Sequence, residues 1–182
     1  MGPPFWHVVV IGVVFTLGRF SEAFLVLRAQ GVGLTSTLIP IVLIVMNLVY
    51  AAVAAPAGSL SDRMDRRLLL AIGLGILILA DLMLAFSPTI TGVLFGVALW
   101  GAHMGLTQGL LSALVADAAP DRLRGTAFGV FNLATGVTLL LASSLAGILW
   151  SRFGAPTTFV AGAAFSGVAL VGLIVFRARR AG

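Results

Sequence analysis

The chain has no cysteine and no lysine, and only 9% of its residues are charged. Without cysteine there are no disulfides, iron–sulfur clusters or thiol nucleophiles, and the redox compartment goes unread. The shortage of charge excludes more. Soluble domains carry about 25% charged residues, whereas here 60% of 182 residues are apolar and the mean hydropathy is +1.14. A soluble fold of this length cannot hide so much apolar surface, so the composition reads as a polytopic membrane protein embedded in a lipid bilayer. Two histidines and no carboxylates paired on one face make no metal or nucleophile constellation. No enzyme, metal or cofactor is therefore expected. The formal charge of +5 is carried by arginine alone. These arginines stand at the ends of apolar runs and form no separate basic patch, which argues against nucleic acid as a partner.

What is present is a series of apolar runs, each near the ~20 residues a membrane helix needs. They cover Phe5–Leu27, Leu38–Ala57, Leu68–Phe86, Gly92–Ala116, Thr126–Trp150 and Thr157–Phe176. The N-terminus, from Met1 to His7, lacks the basic region and small-residue cleavage site of a signal peptide, so the first run is read as a retained helix. The connections are short. Gln30–Thr37, Ser87–Thr91 and Ser151–Pro156 fall on one side, and Gly58–Arg67 and Asp117–Gly125 on the other with both termini. Eight arginines (63, 66, 67, 122, 124, 177, 179 and 180) share the second side and two, Arg28 and Arg152, the first. The positive-inside rule then places both termini in the cytoplasm and the chain in a plasma membrane, the inner membrane of a bacterium.

The most charged stretch is Gly58-Ser-Leu60-Ser-Asp62-Arg63-Met-Asp65-Arg66-Arg67, with five charges in the six positions from Asp62 to Arg67. Part of its pattern returns: Ala57-Gly58-x-Leu60-x-x-Arg63 recurs as Ala146-Gly147-x-Leu149-x-x-Arg152, 89 residues on, from Gly58 to Gly147. That offset carries the first run onto the fourth and the second onto the fifth. The copies lie on opposite sides of the membrane, as in an inverted three-plus-three repeat over about 1–88 and 89–182.

The charged stretch resembles the signature loop of the major facilitator superfamily, Gly-x-Leu-x-Asp-Arg-x-Gly-Arg-Arg, through Gly58, Leu60, Asp62, Arg63, Arg66 and Arg67; Asp65 departs from it, where the family usually has glycine. Asp117-Ala-Ala-Pro120-Asp121-Arg122-Leu-Arg124-Gly125-Thr-Ala-Phe-Gly129 is similar to the family's loop between the fourth and fifth helices of a half. The stretch around Arg19 and Glu22 looks more like the start of a C-terminal half than of an N-terminal one. The resemblance spans essentially the whole chain. It implies an all-α domain over residues 1–182, one six-helix half of a transporter, acting with a second half that is a second copy or a separate N-terminal unit. It also implies a cytoplasmic gate containing Gly58, Asp62, Arg63, Arg66, Asp117 and Arg124, in which Asp62, Arg66 and Asp117 form a charge cluster.

Charge inside a span is costly and marks function by default. Arg19 and Glu22, three apart in the first run, would share a helix face. They read either as a substrate or proton site or as an internal ion pair. His103 and Gln108 in the fourth run, Asn47 and Tyr50 in the second, and Asn132 in the fifth are polar at depths where a solute cavity would need them. The other reading, an interhelical hydrogen bond, is the commoner one for such a residue taken alone. Gly101, Gly105 and Gly109 favour close helix packing. Asp81, deep in the third run, points to a structural partner within the bundle, with proton coupling as the sharper alternative. The resulting expectation is a half-transporter moving a small solute by alternating access, with proton coupling as an option. The rival is a non-transporting assembly or receptor subunit. The substrate is not readable.

Overall fold

The computed structural model describes residues 1–178. Arg179 and Arg180, counted above among the cytoplasmic arginines, lie outside the described residues.

Helix α1 (Pro3–Leu17) opens on two prolines, tolerated in a first turn whose N–H groups have no intrahelical acceptor. It ends at Gly18, and the chain becomes helical again only in α2 (Ala23–Gly31). The single helix expected over Phe5–Leu27 is thus broken between Gly18 and Glu22. Tertiary contacts supply what the helix gives up. The Ser21 N–H donates to Ser143 Oγ at 3.0 Å, and Ser166 Oγ lies 3.5 Å from the Gly18 carbonyl. Phe20, in the break, is buried with its ring 5.3 Å from Phe24, 5.5 Å from Trp100 and 5.4 Å from Phe159. Gly18 is required by this approach, because a Cβ there would run into Ser166 Oγ.

A 3₁₀ turn at Ser36–Leu38 leads into α3 (Ile39–Ser61). Helix α4 (Arg66–Phe86) starts on Asp65, whose carboxylate accepts the Arg67 N–H at 2.9 Å. This N-cap gives a physical reason for aspartate at the one position where the loop departs from the family pattern. Helix α5 (Ile90–Ala118) is capped in the same way by Thr89, 3.2 Å from the Gly92 N–H.

Helix α6 (Arg124–Ala178) follows a 3₁₀ turn at Asp121–Leu123 and is interrupted at Gly154, where φ is 82° and ψ 178°. The connection expected over Ser151–Pro156 has shrunk to this one residue, whose positive φ suits glycine. The two arms, 124–153 and 155–178, fold back along α1. Phe131 of the first arm meets Gly12, and Ala169 of the second clusters with Phe15. Trp150 and Phe159, on either side of Gly154, pack against Phe24 and Phe20.

Every element is helical among the described residues. Four helical stretches are long and apolar enough to cross a membrane: Ser36–Ser61, Arg66–Phe86, Ile90–Ala118 and Asp121–Leu173, the last containing the Gly154 reversal. Helix α5 is central, packed by α3 and α4, while α4 and α1 both pack on α6. Two glycines set the α3–α5 approach. A Cβ on Gly105 would lie 2.6 Å from the Tyr50 carbonyl oxygen, one on Gly101 would collide with that of Met46, and Gly109 faces open space. At the other end, Arg28 of α2 donates to the Leu84 carbonyl (2.6 Å) and the Ser87 carbonyl (2.8 Å), satisfying the C-terminus of α4.

Candidate functional site

Where α1 stops, it leaves a cavity of about 230 Å³ between the break, α5 and the first arm of α6. Phe15, Thr16 and Arg19 line it from the first span, His103, Thr107, Gln108, Leu111 and Ser112 from α5, and Phe131, Asn132 and Thr135 from α6. Its residue types are unlike the apolar bundle around it, with one guanidinium, one imidazole, two amides and four hydroxyls.

The hydrogen bonds define what each group offers. His103 is buried, with Nδ1 2.8 Å from the Gly73 carbonyl of α4. A carbonyl only accepts, so Nδ1 carries a proton, and in the neutral ring Nε2 keeps its lone pair. The Thr16, Thr107 and Thr135 hydroxyls donate to the carbonyls of Gly12 (2.8 Å), His103 (2.8 Å) and Phe131 (2.9 Å), one turn back. Thr107 also fills the notch left by Gly73, which brings α5 against α4.

Four residues singled out in the sequence, Arg19, His103, Gln108 and Asn132, meet in this cavity. Glu22, Asn47 and Tyr50 do not line it. Asn47 is exposed and donates to its own Leu43 carbonyl at 2.8 Å, and Tyr50 packs against the aromatic core. The shared helical face expected for Arg19 and Glu22 does not exist, because both lie in the break, and no ion pair joins them among the described residues. Thr16, Thr107, Ser112 and Thr135 were missed. On α5 they were recoverable, since Thr107 lies one helical turn after His103 and Ser112 one turn after Gln108.

Of the expected cluster of Asp62, Arg66 and Asp117, the structure brings two members together. Arg66 forms an ion pair with Asp117, across α4 and α5. Asp62 is exposed and takes no part, and Arg124 pairs within its own turn with Asp121 at 2.9 Å. Arg63 is exposed, and Gly58 faces open space.

Asp81 differs most from its expected role. It is fully buried, and neither carboxyl oxygen has a hydrogen-bond partner among the described residues. It lies against the second arm of α6, where a Cβ on Gly162 would be 2.9 Å from Oδ2 and 2.8 Å from the Phe20 ring. Trp100 Nε1, on the ring that packs on Phe20, is also buried without an acceptor. Phe20 and Gly162 also border an apolar cavity of about 110 Å³, together with Leu141, Leu145 and Phe165.

Comparison with known proteins identifies this architecture. The sequence profile described as Major Facilitator Superfamily matches residues 8–182. An uncharacterized MFS-type transporter of Methanocaldococcus jannaschii is 34% identical over 85% of this chain and 40% of its own length. The inner membrane transport protein YajR of Escherichia coli is 30% identical over 88% of this chain and 36% of its own. A D-xylose transporter of Levilactobacillus brevis is 34% identical over a shorter stretch, 49% of this chain and 20% of its own. The chain thus spans well under half the length of these relatives. With its apolar helices, it is an integral, multi-pass membrane protein, and it belongs to the Major Facilitator Superfamily.

Proposed function

We propose that this chain is one half of an alternating-access transporter for a small polar solute. In this reading α1 with α2, then α3, α4, α5 and the two arms of α6, make six spans in an inverted three-plus-three arrangement. Both termini face the cytoplasm, in the inner membrane of a bacterium. The observation that carries the reading is the polar cavity beside the broken first span. Irregular backbone at membrane depth is tolerated where it is buried in protein or lines a cavity, and discontinuous helices mark solute sites in secondary transporters. Arg19, His103, Gln108 and Asn132 would contact the solute. The similarity to a D-xylose transporter supports a solute of about that size and hydroxyl content.

The Arg66–Asp117 pair would brace the cytoplasmic ends of α4 and α5, leaving Asp62, Arg63 and Gly58 to meet the other half as the bundles rock. The open space at Gly58 supports this role, since nothing among the described residues requires glycine there. Uptake of labelled D-xylose and D-xylonate into proteoliposomes tests the site. His103→Ala, Gln108→Ala and Asn132→Ala are each expected to lower uptake by tenfold or more while the protein stays folded. Full uptake by all three variants would remove the cavity from the transport path.

A further inference from the structure

We infer that the cavity selects a hydroxylated anion, a carboxylate or phosphate ester carrying hydroxyl groups, with Arg19 as its anchor; this rests on the cavity being the solute site. The sequence left the charge preference balanced, because Glu22 stood ready to neutralise Arg19. The helix break loosens that balance: Glu22 stays within electrostatic range of Arg19 but makes no ion pair with it among the described residues. Arg19 lines the cavity and Glu22 does not, and no carboxylate pairs with Arg19 among the described residues. Among the described residues no aspartate or glutamate lines the cavity and its one formal charge is a guanidinium, which matches carboxylate and phosphate oxygens in a two-pronged geometry.

Of the neutral groups, Gln108, Asn132 and Ser112 can both donate and accept, and the other four narrow the ligand further. Thr16, Thr107 and Thr135 have each committed their hydroxyl hydrogen to a backbone carbonyl, so they present only lone pairs. His103 has its Nδ1–H on Gly73 and keeps a lone pair at Nε2. Groups that can only accept require donors on the ligand, and the donors of a small organic anion are its hydroxyls. A ligand with an anionic end for Arg19 and hydroxyls for the threonines satisfies both sets. A neutral sugar leaves the guanidinium uncompensated, and a cation meets it with repulsion.

The absence of cysteine gives a direct test. In liposomes, Ser112→Cys and, separately, Asn132→Cys place the only thiol of the chain on the cavity wall. Each is reacted with an anionic sulfonatoethyl methanethiosulfonate and with a cationic trimethylammonioethyl one, with rates normalised to free thiol. The anionic reagent is expected to be favoured about fivefold or more, the order one nearby unit charge produces even at the dielectric constant of water. Arg19→Gln should abolish the preference and Arg19→Lys retain it. Protection of the thiol by D-xylonate, by ribose 5-phosphate, or by both identifies carboxylate, phosphate or either as the anion, and D-xylose should protect least. Equal rates, a cationic preference, or protection by D-xylose alone would overturn anion selection while leaving the transport site in place. Failure of both thiols to react with either reagent would instead overturn the site itself, and the inference with it.

Discussion

Asp81 separates two physical demands that a single residue rarely shows so plainly. Two unpartnered buried polar oxygens of a neutral carboxyl cost roughly 1–3 kcal/mol each, and an apolar replacement of the same shape is close to neutral or better. Asp81→Leu is therefore expected to raise the thermal midpoint in detergent. Gly162→Ala should lower it, because the new Cβ would press on Oδ2 from 2.9 Å and on the Phe20 ring from 2.8 Å. The Gly162→Ala loss should shrink in an Asp81→Ala background, where the carboxyl oxygen is gone. Strictly additive midpoints would show that the two residues do not share this contact. The Arg66–Asp117 pair calls for the opposite expectation. Its side chains are 31% and 63% exposed, so solvent screens it and a double-mutant cycle on unfolding should return under about 1 kcal/mol of coupling. A coupling of several kcal/mol would mean the pair is held in a drier setting than the isolated chain provides.

At the scale of the element, legibility followed the origin of each feature. Helix ends written in local chemistry were readable. The charge-rich connection was expected over Gly58–Arg67, and in the structure it narrows to residues 62–65, with α3 running to Ser61 and α4 starting at Arg66 on an Asp65 cap. Intramembrane polar residues on α5 were readable because polarity in an apolar helix is rare, and His103 and Gln108 both reached the cavity. The break in the first span was not readable. Hydropathy measures how apolar a run is, not whether its backbone bonds stay within it. The groups that release residues 18–22 from the helix include Ser143, 122 residues away from Ser21. Of the charge cluster expected from the loop pattern, α4 and α5 bring Arg66 to Asp117, while Asp62 stays exposed. The glycine row on α5 shows how far a pattern goes before contacts decide. Gly101→Ala should force α3 and α5 apart, costing about 1–3 kcal/mol as overpacking does, since its Cβ would strike the Met46 carbonyl oxygen. Gly109→Ala meets nothing and should gain up to about 1 kcal/mol from helix propensity. Thermal midpoints of the two variants are expected to move in opposite directions, and a shared direction would contradict the packing of α3 on α5.

For the whole molecule, a partner is expected from the distribution of burial. Only 11% of the most apolar window in the α3 span is buried, against 56% for α5, and the α6 stretch reaches 17%. An apolar face toward lipid needs no partner, but these faces are not uniformly apolar. Asn47 is exposed beside Ile44 and Leu48 on α3, and Asn132 beside Leu133 on α6. The Asn132 cavity also holds Arg19. Leaving such groups against hydrocarbon costs several kcal/mol each. A second six-helix unit facing α3 and the first arm of α6 would enclose them around water and remove that cost, in keeping with relatives more than twice as long as this chain. Expressed as these 182 residues, the protein is expected to form a dimer or to copurify with a complementary half. Native mass measurement in lipid nanodiscs decides it. The expected result is an assembly of at least two six-helix units whose cavity thiols at position 112 or 132 react with soluble reagents. A stable monomer that transports solute would show that one bundle can shield Arg19 from lipid unaided, and would remove the need for rocking halves.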